Sequence, residues 1–316
     1  MGGRWSGRWT AADIPELNGR IALVTGASSG TGYAAAVELA RQGAETILAC
    51  RSPERGGAAL AGLRASVPGA RAKLMDLDLA CLESIADFAD EFQRRHSSLD
   101  ILVNNAGVMA APYLRTRDGF ELQVGINHLG HFALTGHLLG MIAGTPGSRI
   151  VTVSSLMHRF GRIDREGLMH SEANYSTWGA YARSKLYNLL FAYHLDRLFS
   201  RAGIDAASLA AHPGYTATNL GSRFGRRRPR WRQWLRSRLI QGPPMGALPI
   251  LRAATAPEAV GGQYYGPRGL FGERGHPVLV SSSRLSRSEP HAQRVWEMSA
   301  QLTGVEFAGL HADRDV

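Results

Sequence analysis

Six short apolar runs alternate with segments of helical spacing along the first two thirds of the chain, and this alternation constrains the fold most strongly. The runs are residues 20–25, 45–50, 72–77, 99–104, 149–154 and 204–211. They lack the polar alternation of half-exposed strands, so we expect strands buried on both faces, as in a parallel sheet covered by helices. The sequence therefore predicts an α/β fold, a single doubly wound domain with helices on both faces of one sheet.

The helical segments and the tail complete this expectation. We predict helices over 33–41, 55–66, 82–95, a long fourth helix ending near 142, and 178–201. The tail from residue 243 adds a predicted helix over 245–254, a last strand over 276–280 and a terminal helix over 292–302. The sheet should hold about seven strands. Residues 1–19 are then an N-terminal extension and 20–316 one domain, in which 221–242 form an arginine-rich lid.

The net charge of +10 is a local feature of the chain. Eight arginines and no acidic residue fall within residues 222–240, which leaves the remainder near +2. A general nucleic-acid-binding role, which would need a broad basic surface or a recognition module, is therefore not expected. With only Cys50 and Cys81, no signal peptide and no long apolar stretch, we predict a cytoplasmic protein with reduced thiols and no membrane span.

A glycine-rich turn separates the first predicted strand from the first predicted helix. It reads Thr-Gly-Ala-Ser-Ser-Gly-Thr-Gly over residues 25–32. Glycine allows sharp bends and close backbone approach, and the N-terminus of the helix that follows offers N–H groups and a positive dipole end to a diphosphate. This context predicts a dinucleotide site in a Rossmann-type fold.

Arg51 follows the second predicted strand, in the sequence Ala49-Cys50-Arg51. Proteins of this architecture that prefer NAD place an acidic residue near this point to bind the ribose hydroxyls. A guanidinium suits a 2′-phosphate instead, because it forms bidentate charged hydrogen bonds. We therefore expect NADP(H) as the cofactor, with a solvated surface arginine as the alternative interpretation of Arg51.

Tyr181 and Lys185 lie four residues apart, on one face of a predicted helix. A nearby ammonium favours the phenolate, so such a tyrosine can exchange a proton with an alcohol or carbonyl oxygen. The chain has only one other lysine, Lys73, among 36 basic residues. A lysine kept at this spacing in so arginine-rich a protein indicates a specific role.

Two further positions are candidates on weaker grounds. Ser154 and Ser155 end the fifth predicted strand, at the sheet edge where open α/β folds bind ligands, although a serine there is commonly a turn former. Asn127 lies inside the long fourth helix and is a poor helix former, so by itself it indicates a solvated residue or a local kink.

Taken together, these residues resemble the short-chain dehydrogenase/reductase family from about residue 15 to residue 265, and within it the branch that includes retinol dehydrogenases and protochlorophyllide reductases. The resemblance rests on the motifs TGASSGTG (25–32), Cys50-Arg51, Asp78-Leu79, NNAG (104–107), Asn127, Val153-Ser154-Ser155, Tyr181 to Lys185, and His212-Pro213-Gly214 with Thr218.

The resemblance implies a role for each matched residue. The catalytic set would be Asn127, Ser155, Tyr181 and Lys185, with Ser154 as the second choice for the serine. The implied cofactor-binding set is Gly26, Ser28, Ser29, Gly30, Thr31, Gly32, Arg51, Asp78, Leu79, Asn105, Ala106, Gly107, Tyr181, Lys185, Pro213, Gly214, Thr216 and Thr218.

The implied reaction is a hydride transfer between nicotinamide and a carbonyl or alcohol carbon of a lipophilic small molecule. Tyr181 would act as general acid or base, and Lys185 would lower its pKa. Ser155 would polarise the substrate oxygen, and Asn127 would anchor a proton path to Lys185. Two alternatives stay open: a reductase of carbon–carbon double bonds, and a non-enzymatic NADP-binding regulator.

Two segments bear on the substrate and on partners. Residues 156–179, with His158, Phe160, Met169 and Trp178, should form one wall of the pocket. Residues 223–240 could be a lid over a bulky substrate, a weak membrane-surface contact or a solvated loop. No metal site is expected, because the histidines lack ligand partners at suitable spacing. Members of the family dimerise or tetramerise through their fourth and sixth helices, but the arginine-rich lid could interfere, so the resemblance leaves the oligomeric state open.

Overall fold

The computed structural model describes residues 8–164, 167–215, 241–269 and 272–310, and these form one sheet with helices on both faces. The strands are β1 (Ile21–Thr25), β2 (Glu45–Cys50), β3 (Ala72–Asp76), β4 (Ile101–Asn104), β5 (Ser148–Val153), β6 (Ala206–Ala211), β7 (Tyr264–Pro267) and β8 (Pro277–Leu279). Their order is β3-β2-β1-β4-β5-β6-β7-β8, parallel throughout except for β8, which runs antiparallel to β7.

The expected doubly wound α/β architecture is confirmed, with eight strands instead of about seven. The sequence analysis did not predict β7, whose Tyr-Tyr-Gly-Pro sequence contains two residues typical of turns. Its four residues are all buried, so tertiary packing decides their conformation.

The helices that cover the sheet match the predicted segments closely, apart from the fourth. They are α1 (Gly30–Arg41), α2 (Pro53–Ser66), α3 (Leu82–Arg95), α4 (Leu122–Val124), α5 (Gly130–His137), α6 (Leu139–Ala143), α7 (Thr177–Ala202), α8 (Pro243–Thr255) and α9 (Glu289–Thr303). The predicted long fourth helix is divided: a π-helical turn, Gly125–Leu129, joins α4 to α5, and α6 is a separate short helix.

Alternate residues of each strand point to opposite faces of the sheet, so the protein has two main cores. In β1, Ala22 and Val24 pack under α1, α2 and α8, whereas Leu23 packs under α3, α5 and α7. Both cores are buried because the strands between the two edges are covered by helices on both faces. This arrangement places the carboxyl ends of β1 to β6 along one edge of the sheet.

Two outer segments pack onto the central unit. Trp9, in the predicted N-terminal extension, is buried in the same core as α1 and α8, and its carbonyl oxygen hydrogen-bonds His276 Nδ1 at 3.0 Å. At the other end, Trp296 of α9 stacks on Phe191 of α7 and contacts Phe132 of α5, with ring centroids 5.8 and 5.1 Å apart. The terminal helix therefore covers a shared face of α5 and α7.

Candidate active site

The predicted site residues that the structure describes gather at one edge of the sheet. The glycine-rich turn follows β1, Arg51 follows β2, Asp78 and Leu79 follow β3, residues 105–107 follow β4, Ser155 follows β5, and Pro213 and Gly214 follow β6. Thr216, Thr218 and the arginine-rich residues 221–240 lie outside the described residues. Parallel strands bring residues distant in sequence to a single cleft, where ligands of open α/β sheets bind.

The glycine-rich turn leaves no room for side chains at two of its positions. Gly26 has a φ of +66°, and a Cβ there would lie 2.9 Å from Ala106 Cα. A Cβ at Gly32 would lie 2.3 Å from Asn105 Nδ2 and 2.8 Å from Gly26 O. Ser29 is the N-cap residue of α1, and within the described ranges its side chain makes no capping hydrogen bond to the first N–H groups of that helix. The first N–H groups of a twelve-residue helix thus face a tightly bent turn, which fits the diphosphate of a dinucleotide.

Thr25, the last residue of β1, holds the loop after β4 against this turn. Its Oγ1 accepts hydrogen bonds from the backbone N–H groups of Asn105 and Ala106, at 2.9 and 3.0 Å. The Asn105 side chain donates to Thr25 O at 2.8 Å and accepts from Thr31 Oγ1 at 3.0 Å. Three hydrogen bonds to Asn105 and one to Ala106 therefore fix this loop between two predicted cofactor-binding segments.

The outer part of the cleft contains the residues predicted to bind the adenosine end. Arg51 is exposed directly after β2, and the β2 residue Ala49 accepts a hydrogen bond from Gly26 N at 2.8 Å. Asp78 accepts from Ala80 N at 3.0 Å, and Leu79 is buried. The guanidinium is thus free to reach a ligand at the edge of the glycine-rich turn.

Ser155 and Tyr181 meet at the centre of the cleft. Ser155 lowers the pKa of Tyr181, so its side chain lies beside the phenol, and Tyr181 is only 7% exposed. Ser154 points the other way, because its buried hydroxyl donates to Lys185 O at 2.7 Å. Of the two candidate serines, the structure brings Ser155 to the tyrosine and uses Ser154 to attach β5 to α7.

Burial dominates the proton affinities of the Tyr181 and Lys185 pair. It raises the pKa of Tyr181 to about 12, an effect that the Ser155 hydrogen bond partly offsets. Burial also lowers the pKa of Lys185 to about 8. The sequence analysis expected the lysine to lower the tyrosine pKa, but Lys185 Nζ lies 5.8 Å from the centroid of the Tyr181 ring and donates to Val153 O at 3.0 Å. Loss of hydration outweighs the neighbouring charge at this separation.

Asn127 lies in the middle of the π-helical turn and is fully buried. Its side chain accepts from Val108 N at 2.8 Å and donates to Val108 O and Ser184 Oγ, at 2.9 and 3.0 Å. A Cβ at Gly107 would lie 3.0 Å from Asn127 Oδ1 and 3.7 Å from Lys185 Nζ, so the loop after β4 brings Asn127 close to the lysine. π-helical turns within helices often occur at functional sites.

Comparison with known proteins gives this site a family. The model of the short chain dehydrogenase family matches residues 20–228. The chain belongs to this family. It is therefore an oxidoreductase of a family whose members transfer hydride to or from alcohol and carbonyl groups.

The chain is also similar to individual short chain dehydrogenases. Human retinol dehydrogenase 13 is 38% identical over 304 residues, which is 93% of this chain and 87% of that protein. Mouse polyprenol dehydrogenase is 38% identical over 300 residues, covering 92% and 86%. The crystal structure of an uncharacterized protein from Mycobacterium paratuberculosis superposes with a TM-score of 0.80 at 42% identity, covering 95% of this chain and 99% of that one. These similarities confirm the expected retinol dehydrogenase-like branch.

In this short chain dehydrogenase, the segment between Ser155 and Tyr181 turns only some of its predicted wall residues outward. Phe160 is 72% exposed and Trp178 is 50% exposed, with the Trp178 ring edge-on to Tyr181 at 6.4 Å. His158 is buried and hydrogen-bonds Ser155 O at 2.7 Å, while Met169 Sδ accepts from Glu121 N at 3.2 Å. The Trp178 ring therefore lies beside the tyrosine, whereas His158 and Met169 are held by backbone contacts.

The described residues that flank the arginine-rich segment, Tyr215 and Gln241, lie next to the site. Gln241 N donates to Tyr215 O at 3.0 Å, and Gln241 Nε2 donates to Pro213 O at 2.6 Å. Gly214 has a φ of +66°, and a Cβ there would lie 2.3 Å from Glu273 O. Tyr215 and Gln241, the described residues on either side of 216–240, are thus held at the carboxyl end of β6.

Sequence reasoning missed two residues of the site, Thr25 and His131. Thr25 carries no signal beyond its place at the end of the first strand. His131 follows Asn127 by four residues, and this helical spacing places its ring near the Asn127 carbonyl, where the structure has them 3.1 Å apart.

The four described ranges contain neither a candidate metal site nor a candidate membrane span. Within those four ranges, no group of three or more histidine, cysteine, aspartate or glutamate residues could hold a metal ion. In the same ranges, no helix combines the length and apolar character that crossing a bilayer requires.

Proposed function

We propose that this short chain dehydrogenase is an NADP(H)-dependent oxidoreductase for a carbonyl or alcohol of a lipophilic small molecule, with Tyr181 as general acid or base. The observation that carries the proposal is the buried Tyr181 with Ser155 and Lys185 beside it, at the same sheet edge as the glycine-rich turn. When bound, the nicotinamide would supply or accept the hydride.

The chain's own groups support the proton half of the reaction. In reduction, Tyr181 Oη donates its proton to the substrate oxygen while Ser155 Oγ hydrogen-bonds the same oxygen. A pKa of about 12 keeps the phenol protonated at neutral pH, which the acid role needs. Lys185 and Asn127 lie behind the tyrosine, on the route by which a proton would be replaced.

Several observations favour NADP(H) as the cofactor. Arg51 is exposed beside the glycine-rich turn, and the end of β2 carries no acidic residue. Gly26, Gly32 and the free start of α1 form a cradle that side chains would fill. A short chain dehydrogenase from Escherichia coli, 24% identical with a TM-score of 0.61, was crystallised with NADPH, and it shares the fold.

The lipophilic substrate is supported by the aromatic wall and by the relatives. Trp178 presents apolar surface beside Tyr181, and Phe160 of the same segment is largely exposed. Retinol and polyprenols, after which two relatives are named, are long apolar alcohols. The cytoplasmic location, a homo-oligomer and contact of residues 223–240 with a membrane surface stay predictions.

The test is consumption of NADPH with retinaldehyde, other lipophilic aldehydes and ketones, and enones. We expect turnover that Tyr181→Phe reduces at least about 1,000-fold while the NADPH dissociation constant stays within about twofold, because only the proton donor is removed. Tyr187→Phe is the matched control, since it removes a buried hydroxyl from the same helix that bonds Leu168 O at 3.2 Å.

Each outcome of this test has a distinct meaning. Unchanged turnover in Tyr181→Phe would remove the tyrosine from the mechanism. Saturated products from enones would favour the double-bond reductase. Tight NADPH binding without turnover of any substrate would favour the regulator.

A further inference from the structure

His131 is buried in α5 and joins two parts of the site that are distant in sequence. Its Nδ1 lies 3.1 Å from the backbone carbonyl oxygen of Asn127, in the π-helical turn. Its Nε2 lies 2.9 Å from Thr25 Oγ1, the hydroxyl that holds the loop after β4. One imidazole therefore bridges the proton-path asparagine and the cofactor-binding turn.

The partners determine which ring nitrogen carries the proton. A carbonyl oxygen can only accept, so Nδ1 of His131 must be the donor. Burial lowers the pKa of the ring to about 3, which keeps it neutral and leaves Nε2 as an acceptor. Thr25 Oγ1 accepts two backbone N–H groups already, so its own proton is left to be donated. Its two acceptors are His131 Nε2 at 2.9 Å and Val103 O at 3.3 Å, and the shorter distance favours Nε2.

We propose that His131 is a positioning residue of the active site, a neutral Nδ1–H imidazole that holds the Asn127 carbonyl in place and ties it through Thr25 to the Asn105–Ala106 loop. This inference rests on the proposed function. The charge of Lys185 also lowers the pKa of His131, so it adds to burial in keeping the ring neutral.

His128 provides a matched control three residues earlier in the chain. It is as deeply buried, its pKa is also lowered to about 3 by burial, and its Nε2 lies 2.9 Å from Ser299 Oγ of α9. It therefore has the same chemistry and burial but faces the terminal helix. His128→Gln should lower the melting temperature and leave kcat and the NADPH dissociation constant within about twofold.

Two conservative variants separate the two hydrogen bonds of His131. In His131→Asn the amide nitrogen can take the place of Nδ1, so this variant keeps the hydrogen bond to Asn127 O and loses the one to Thr25 Oγ1. In His131→Gln the longer side chain lets the amide reach the place of Nε2, so this variant keeps the hydrogen bond to Thr25 Oγ1 and loses the one to Asn127 O. We expect the asparagine variant to weaken NADPH binding about tenfold with little change in kcat, and the glutamine variant to lower kcat roughly tenfold to hundredfold with little change in NADPH binding.

The tautomer is tested in the unmodified protein by ¹⁵N NMR of the imidazoles, assigned from the backbone. We expect His131 at pH 7 to carry its proton on Nδ1 and to stay neutral down to pH 5. A proton on Nε2, titration above pH 5, or two His131 variants that behave like His128→Gln would each overturn the proposal. The NMR and NADPH-binding measurements need no turnover, so they remain informative if no substrate is found.

Discussion

Arg51 lies exposed after β2, next to the turn between β1 and α1. If its guanidinium binds the 2′-phosphate of NADPH, Arg51→Asp replaces a charged hydrogen bond of about 1.5–3 kcal/mol with a repulsion. We expect the NADPH dissociation constant of the variant to be at least about tenfold higher than that of the unmodified protein, and its NADH dissociation constant to be equal or lower. Fluorescence titration with both nucleotides measures the change.

The control for this prediction carries the same charge change at the opposite edge of the sheet. Arg94, in the last turn of α3, is exposed and makes only a 3.5 Å surface contact with Glu91. Such pairs contribute about 0–1 kcal/mol, so Arg94→Asp should leave both nucleotide affinities unchanged. If the Arg51 and Arg94 variants shift NADPH binding equally, net charge and not a specific contact would be responsible.

At the scale of elements, the close approach of α1 to the loop after β4 depends on the absence of a side chain at Gly32. A Cβ would lie 2.3 Å from Asn105 Nδ2 and 2.8 Å from backbone, so Gly32→Ala must push the two segments apart. We expect the free energy of unfolding to fall by about 1–3 kcal/mol and NADPH affinity to fall about tenfold or more. Urea unfolding and NADPH titration measure the two effects.

Gly57, near the start of α2, is the matched position for this substitution. A Cβ there would meet nothing within 4 Å, and the helix interior favours alanine over glycine by about 0.5–1 kcal/mol. Gly57→Ala should therefore stabilise the protein slightly and leave NADPH binding unchanged. Equal stability of the two variants would mean that the turn tolerates a side chain at residue 32.

At the scale of the whole molecule, five histidines have a pKa lowered by burial to about 3 or 4. They are His128, His131, His158, His194 and His212. In the unfolded chain a histidine has a pKa near 6.5, so below that pH the unfolded state takes up protons that the folded state cannot. Their contribution to stability is present above pH 6.5 and is lost as the pH falls towards 4.

Each such histidine changes the free energy of unfolding by up to about 1.4 kcal/mol per pH unit within this window. Burial raises the pKa of Glu121 and Asp196, and these two carboxyls act in the opposite direction. We therefore expect a net loss of several kcal/mol between pH 7 and pH 5, measured by urea unfolding. His194→Gln should reduce the pH slope, whereas His291→Gln, at an exposed site, should not. A flat profile would contradict this expectation.

The sequence by itself determined the architecture, because hydrophobic periodicity reports burial directly. Uninterrupted apolar runs such as residues 20–25 can only be strands covered on both faces, and this predicted the parallel sheet and its helices. Parallel order then placed the residues after each strand at one edge. The glycine spacing and the Tyr181–Lys185 spacing depend on local geometry, so they too could be read without the structure.

Only the tertiary structure decided the features that depend on contacts between distant segments. Neighbouring serines look alike in sequence, and packing of α7 on β5 directs Ser154 to Lys185 O and leaves Ser155 for Tyr181. The π-helical turn at Asn127 and the bridge through His131 arise where α5 meets β1 and β4. Likewise, a pKa depends on hydration in the folded state, and burial, which no local pattern encodes, raises that of Tyr181 to about 12.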